Sequence, residues 1–323
     1  MAARIAFFGM ESGFSAICLR ALLHSELRPH IVVIGVDKPP WQRGPRVDWL
    51  PARPSRFERF FGVGPEQPAE HEALSAAAAA ARIDVLKTSE VGAVRSRGRI
   101  ADARPDALVV ASFPTLLPES VLSLAPLGGL NLHPGALPEQ RGPAPLFWTL
   151  KRGEPSLRFA IHVLARGEDD GDLVSTGSMP FPPGTHGAEI LRGLATVAAP
   201  YLLEALRDLA EGRLERTPQR RAGIGRCPRP SFRDGRVETD RSAEAVFTFV
   251  GGCVGSYPIF VECGGDRFFI ARALSYDLSA KLPSEFFLSG DRLLLACTPG
   301  VVELELRADG AIFTADYVEP PNR

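Results

Sequence analysis

Two apolar, β-prone runs close to the N-terminus, with one amphipathic helix between them, constrain this chain most. "RIAFFGM" (4–10) reads as a buried parallel strand, and "HIVVIGV" (30–36) as the next one. Between them "SGFSAICLRALLHSEL" (12–27) gathers Ile17, Leu19, Ala21 and Leu22 on one side, with Ser12 or Ser15 as the N-cap. The chain therefore opens β-α-β, the start of an α/β fold with a mostly parallel sheet.

Further along, "EHEALSAAAAAARID" (70–84) is helical by propensity. "DALVVASF" (106–113), "GGLNLHP" (128–134) and "LRFAIHVL" (157–164) read as three more strands, the first two separated by a short "LPESVLSL" helix. "GAEILRGLATVAAPYLLEALRDLAEG" (187–212) is a long amphipathic helix able to cover a sheet face. The stretch 213–236 is basic, rich in Pro and Gly and poor in apolar residues, so it reads as a linker. Beyond it, 259–274 turns at Gly264-Gly265 and 292–310 at Pro299-Gly300, two hairpin signals. The expected division is a catalytic domain over 1–212, the linker, and a small β-rich domain over 237–323.

Composition narrows the function classes. The chain has 323 residues, 45% apolar and 23% charged, with a formal net charge of −1, so nothing global points to nucleic acid or to an anionic membrane. No signal peptide or membrane-length apolar run is visible in it. Five scattered cysteines without a C-x-x-C pair suit reduced thiols in cytoplasm and argue against a zinc site.

Chemistry concentrates in "NLHPGALPEQRGPAP" (131–145). In a strand Asn131 and His133 project from one face, and Pro134 keeps the strand end extended. The pair sits at a strand end of an α/β sheet, where such folds bind ligands. An Asn amide can donate to a developing oxyanion, and a His can donate to it or take a proton. The plainer alternative is a turn-closing asparagine and an ordinary histidine. After the next strand, "ARGEDDGDL" (165–173) packs Glu168, Asp169, Asp170 and Asp172 around Gly171. It reads as a solvated acidic turn, or as a carboxylate facing the His133 imidazole, and lacks the spacing of a calcium loop. His162 is read as core or sheet-face packing, and Phe147 and Trp148 as packing behind the loop.

These features resemble the folate-dependent formyltransferases. That family shows N-x-H-x-S-L-L-P, an R-G-x-x-P stretch and a D-x-G-D-like turn some thirty-five residues on. Here "NLHPGALPEQRGPAP" is followed by "DDGD", with His133 and Asp169 thirty-six positions apart. Gly135-Ala136 stands where Ser-Leu is usual. "FFGMESGFSAICLRALL", "ASFPTLLPESVLSLAPLGGLNLHPG" and "GSYPIF" extend the likeness over nearly the whole chain. The resemblance implies a Rossmann-like formyltransferase domain, a small OB-like C-terminal domain, and formyl transfer from 10-formyltetrahydrofolate to an amine, with no metal. It implies Asn131, His133 and Asp169 as the catalytic triad. Asn131 and His133 would stabilise the oxyanion, and His133 with Asp169 would handle protons. It further implies a folate pocket lined by Phe113, Pro114, Thr115, Leu116 and Leu117, and by Leu164, Arg166, Gly167 and Glu168.

The family divides by acceptor. In its tRNA enzymes a basic insertion after the second strand and a basic C-terminal domain grip the nucleic acid, and phosphate neutralisation supplies most of such affinity. The insertion here carries arginines but lacks the lysine pair of the R-G-K region and adds Trp41 and Trp49. Residues 237–323 hold thirteen acids against seven basic residues. "PLFW" after the loop is similar to the small-molecule members' P-L-N-W. The expectation is a small-molecule N-formyltransferase acting on an amino-sugar nucleotide, an amino acid or a hydroxylamine-type acceptor, as a possible homodimer. The alternatives are methionyl-tRNA formyltransferase, formyltetrahydrofolate hydrolase and, disfavoured by the intact triad, a non-catalytic binding module.

Overall fold

The structure, a computed structural model, describes residues 3–36, 73–220 and 223–307. The arginine-rich insertion with Trp41 and Trp49, the start of the 70–84 helix and the last sixteen residues lie outside the described residues. The chain divides into two units: Met1–Pro145, Leu157–Met179 and Leu191–Cys227 form one, and Leu146–Ser156, Pro180–Ile190 and Pro228–Arg323 form the other.

The first unit is built on a seven-stranded sheet. β1 (Ile5–Gly9), β2 (Pro29–Gly35), β3 (Asp84–Thr88), β4 (Ala107–Ala111) and β5 (Gly129–His133) run parallel in the order β3-β2-β1-β4-β5. β6 (Ser156–Val163) then pairs antiparallel with β5, and β7 (Leu173–Pro180) closes that edge. Every residue of β1 and β4 is buried, as strands covered on both faces must be. The order reverses between β1 and β4, so the ligand crevice of this topology opens at the C-terminal ends of β1, β4 and β5.

Helices α1 (Gly13–Leu23), α2 (Leu74–Ala80), α3 (Val94–Asp102) and α4 (Glu119–Leu122) connect these strands. Ser12 proves to be the N-cap of α1, its hydroxyl accepting from the Ser15 amide. Ala6, Phe8, Ile31, Val33, Leu108 and Val110 form one sheet-face core together with Ile100 from α3 and Val121 from α4. The expected 70–84 helix is shorter than its propensity suggested, because Asp84 already begins β3.

α5 (Pro145–Lys151) follows β5, and α6 (Gly187–Ala210) is the long helix foreseen over 187–212. From α6, Tyr201 packs its ring 5.4 Å from Phe159 of β6. Residues 213–227 stay with the first unit, where Thr217 exchanges two 2.8 Å backbone hydrogen bonds with Leu173.

The second unit contains α7 (Ala243–Cys253) and a five-stranded antiparallel sheet of order β10-β11-β12-β9-β8. Its strands are β8 (Phe260–Cys263), β9 (Asp266–Asp277), β10 (Phe286–Ser289), β11 (Arg292–Ala296) and β12 (Val301–Leu306). Both expected hairpins are present, β8–β9 turning at Gly264-Gly265 and β11–β12 around Pro299-Gly300. Phe232 stacks on Phe260 with ring centroids 4.8 Å apart. Phe147 is buried against Phe249 and Tyr257, whereas Trp148 is half-buried and donates its indole N–H to the Pro228 carbonyl.

Candidate active site

β5 ends in Asn131-Leu132-His133. Its pleat buries Leu132 on one face and turns Asn131 and His133 to the other. His133 is buried, and its Nε2 lies 2.7 Å from the Gln140 carbonyl oxygen. A carbonyl only accepts, so Nε2 carries the proton and Nδ1 is left with its lone pair. That Nδ1 sits 3.5 Å from Asp169 Oδ2. The Gln140 side chain fixes the same loop by accepting from the Ala136 amide at 2.8 Å.

Asp169 reaches this point from the loop between β6 and β7, with its backbone in the left-handed region at φ 49°. Aspartate tolerates that conformation better than most residues. Gly171 makes the turn possible, because a Cβ there would lie 1.8 Å from the Val163 carbonyl oxygen. The Asp169 carboxylate accepts from the Gly142 amide at 2.8 Å and from Asn131 Nδ2 at 3.3 Å. Burial works to raise its pKa, but the His133 charge, His162 and the Gly142 amide outweigh it and hold the group at about 2. For His133 burial is the largest effect and lowers the pKa, while Asp169 and the Gln140 carbonyl pull it up without overcoming burial. The site thus pairs a fixed carboxylate with an imidazole biased to be neutral. A free ring nitrogen beside an anion is suited to take a proton and have the resulting charge stabilised.

His162, expected only as packing, is indeed buried but belongs to this cluster. It is the register partner of Asn131 across the β5–β6 ladder. Its Nδ1 donates to the Val163 carbonyl at 2.9 Å, which leaves Nε2 to accept from Asn131 Nδ2 at 3.0 Å. Asn131 therefore directs one amide N–H at His162 and the other at Asp169. No local sequence pattern signals this, because it is the antiparallel pairing of β5 with β6 that sets His162 opposite Asn131.

Residues expected to line a folate pocket fall in two loops. Phe113 follows β4, rings 5.6 Å from Phe8, and Pro114 packs on Gly35. Thr115 is exposed, Leu116 is 57% exposed, and Leu117 is buried in the core. Leu164 donates its amide to Gly129 and packs beside Leu108, and with Phe113 it lies against the sheet-face core. Arg166 pairs with Glu119 at the start of α4 at 2.8 Å, while Glu168 pairs with Arg226 at 2.8 Å. Among the described residues no three His, Cys, Asp or Glu side chains are arranged to hold a metal ion. Nor is any helix among them long and apolar enough to cross a membrane.

Residues 3–206 match the family described as formyl transferase, and the chain belongs to that family. It is 26% identical over 319 residues to the methionyl-tRNA formyltransferase of Chlamydia abortus, covering 96% of this chain and 92% of that one. Among solved structures, an N-formyltransferase from Helicobacter canadensis in complex with folinic acid and dTDP-3-aminofucose superposes with a TM-score of 0.63 at 12% identity. The match covers 95% of this chain and 99% of that one. HypX from Aquifex aeolicus gives a TM-score of 0.57 at 18% identity, covering 94% of this chain but only 45% of the HypX chain. At these identities the two structures establish the shared fold.

Proposed function

We propose that the protein transfers a formyl group from 10-formyltetrahydrofolate to the amine of a small molecule, using Asn131, His133 and Asp169. The observation that carries the chemistry is the buried His133 Nδ1 held 3.5 Å from an anionic Asp169, on the same strand face as Asn131. The turn after β4 offers apolar side chains in the exposed Leu116 and the half-buried Phe113. That suits a flat ring system. Phe113–Leu117 and, across the Arg166–Glu119 pair, Arg166–Glu168 are the segments we assign to holding it.

The donor supplies an activated formyl carbon. His133 Nδ1 takes the proton released as the acceptor nitrogen forms its bond to that carbon, and Asp169 stabilises the imidazolium. The proton then goes to the folate nitrogen as its bond to the formyl carbon breaks, so none is gained or lost. Asn131 gives an N–H to the tetrahedral oxyanion by releasing its longer contact, the 3.3 Å bond to Asp169.

For the acceptor, four of the arginines after α6 support a small molecule. Arg213 pairs with Asp208 at 2.7 Å, Arg216 with Asp172 at 3.8 Å, Arg226 with Glu168 at 2.8 Å and Arg236 with Glu262 at 3.5 Å. Cations already matched by acids of their own chain offer little to a phosphate backbone. The free cysteines support a cytoplasmic setting. The second reading, methionyl-tRNA formyltransferase, is favoured by the name of the near full-length relative.

The deciding experiment incubates the protein with 10-formyltetrahydrofolate and, separately, amino-sugar nucleotides, amino acids, hydroxylamines and methionyl initiator tRNA. Formylation of a small amine with the tRNA inert supports the proposal. Formylation of the tRNA alone, falling steeply with salt, overturns it for the second reading. Donor turnover that needs no acceptor identifies a hydrolase.

A further inference from the structure

The segment after α6 does more than connect. Its Gln219 side chain joins the two loops that carry the site. Gln219 Nε2 donates to the Asp169 carbonyl at 2.8 Å and to the Gly171 carbonyl at 2.7 Å. Its Oε1 accepts from Arg141 Nε at 3.1 Å and Nη2 at 2.6 Å. Two carbonyls on one side and a guanidinium on the other leave one orientation for the amide, with all its hydrogen-bonding capacity used. Around it the same segment is stitched to the 138–144 loop. The Gly225 amide donates to Pro138, Cys227 to Arg141, and Ala144 to Cys227.

Asp169 needs such a hold. Its left-handed backbone is uncommon for a residue other than glycine and persists where surroundings fix it. The carboxylate it presents has a counterpart on the opposite loop, the Gly142 amide next to Arg141. Gln219 thus binds the carbonyl of Asp169 and the side chain of Arg141, while Gly142 binds the Asp169 carboxylate.

We infer that Gln219 is a positioning residue of the transfer reaction, setting the Asp169 carboxylate against His133 by bridging the Asp169–Gly171 turn to Arg141. It does not touch His133, and its action is through Asp169. The inference rests on the functional reading above for its effect on rate, but not for its effect on His133. The titratable groups facing His133 are Asp169 and His162, and Gln219 bonds directly to the first of them.

The test compares the full-length protein with Gln219→Ala and Gln219→Met. The second variant is close in size and adds no charge, but can bond neither the two carbonyls nor Arg141. In each protein the His133 side-chain nitrogens are followed by NMR through a pH titration, and donor turnover is measured across the same pH range. Displacement of Asp169 removes an influence that raises the His133 pKa. His133 is therefore expected to titrate about half a unit or more lower than in the parent protein. The expected kcat falls about 10-fold or more, with its acid limb moved the same way and KM for the donor little changed. An unchanged His133 titration in a folded variant overturns the inference, even if thermal stability drops. If Gln219→Ala does not fold, Gln219→Met decides alone. If the parent protein turns over no donor, the functional reading fails while the titration still judges Gln219.

Discussion

Asn131 and His162 are register partners across the β5–β6 ladder, and their side chains meet with 3.0 Å between Nδ2 and Nε2. With His162 accepting there and donating to Val163 on its other side, the Asn131 amide has one orientation, nitrogen toward the cluster. The donor is aimed before the substrate arrives, and only its 3.3 Å contact with Asp169 has to be released in the reaction.

Replacing His162 should therefore slow the chemistry without emptying the site. His162→Ala is expected to lower kcat about 10- to 100-fold, the scale seen when a residue orienting a functional side chain is lost. KM for the donor should move little. Steady-state kinetics at saturating acceptor would check this, and an unchanged kcat would remove His162 from the account.

The two central ionisable groups act on stability in the same direction. The Asp169 pKa is held at about 2 in the folded protein, so its contribution is present above the ordinary carboxylate value and lost as pH falls through about 2. From that depression it is worth about 2 kcal/mol. The His133 pKa is lowered too, so its contribution is full above the ordinary imidazole value and declines as pH falls below it. Denaturation followed from pH 7 to pH 2 should show Asp169→Asn losing its acid-side slope near the bottom of that range. The acid limb of kcat/KM should lie below the ordinary imidazole value of about 6.5. A limb above it would contradict the neutral His133.

Gly171→Ala should be severe. The added Cβ would lie 1.8 Å from the Val163 carbonyl oxygen, a backbone atom that cannot swing aside. Thermal unfolding is expected to reveal a loss of about 3 kcal/mol or more, with activity gone even where folding survives. Parent-like stability and turnover would mean that the turn is free to relax.

Gly135→Ser restores the residue usual in the family but should harm this protein. A Cβ at 135 would fall 2.8 Å from His133 Nε2 and 2.8 Å from Pro145 Cβ, so the ring must leave the Gln140 carbonyl. A fall in kcat of about 10-fold, with the melting temperature within a few degrees of the parent, is expected. Crystallography of the variant with an unmoved ring would refute the explanation.

What the sequence disclosed, and what it hid, follows from where each signal resides. β1 and β4 are local apolar runs, legible because burial on both faces leaves no polar residue to blur them, and the apolar cores of β2 and β5 were still readable around His30 and around Asn131 and His133. β3 was missed because "DVLKT" exposes two of its five residues at the sheet edge. α3 was missed because "VRSRGRIAD" buries only Ser96 and Ile100. α7 was hidden inside a stretch whose hairpins announced β structure. Asn131, His133 and Asp169 were found through a spaced motif and are brought together. His162 needed the antiparallel register of β6, and Gln219 needed the return path of a segment that resembles a linker. Both are facts of long-range pairing that no local pattern carries.

The central claim is that the anion of Asp169, acting on His133, drives formyl transfer. Its most direct test is the rate of tetrahydrofolate release from 10-formyltetrahydrofolate, with the acceptor identified as above, by the parent protein and by Asp169→Asn at neutral pH. The substitution keeps the size of the side chain and removes its charge. A drop of about 100- to 1,000-fold in kcat is expected, with circular dichroism unchanged. Equal rates in the two proteins would contradict it.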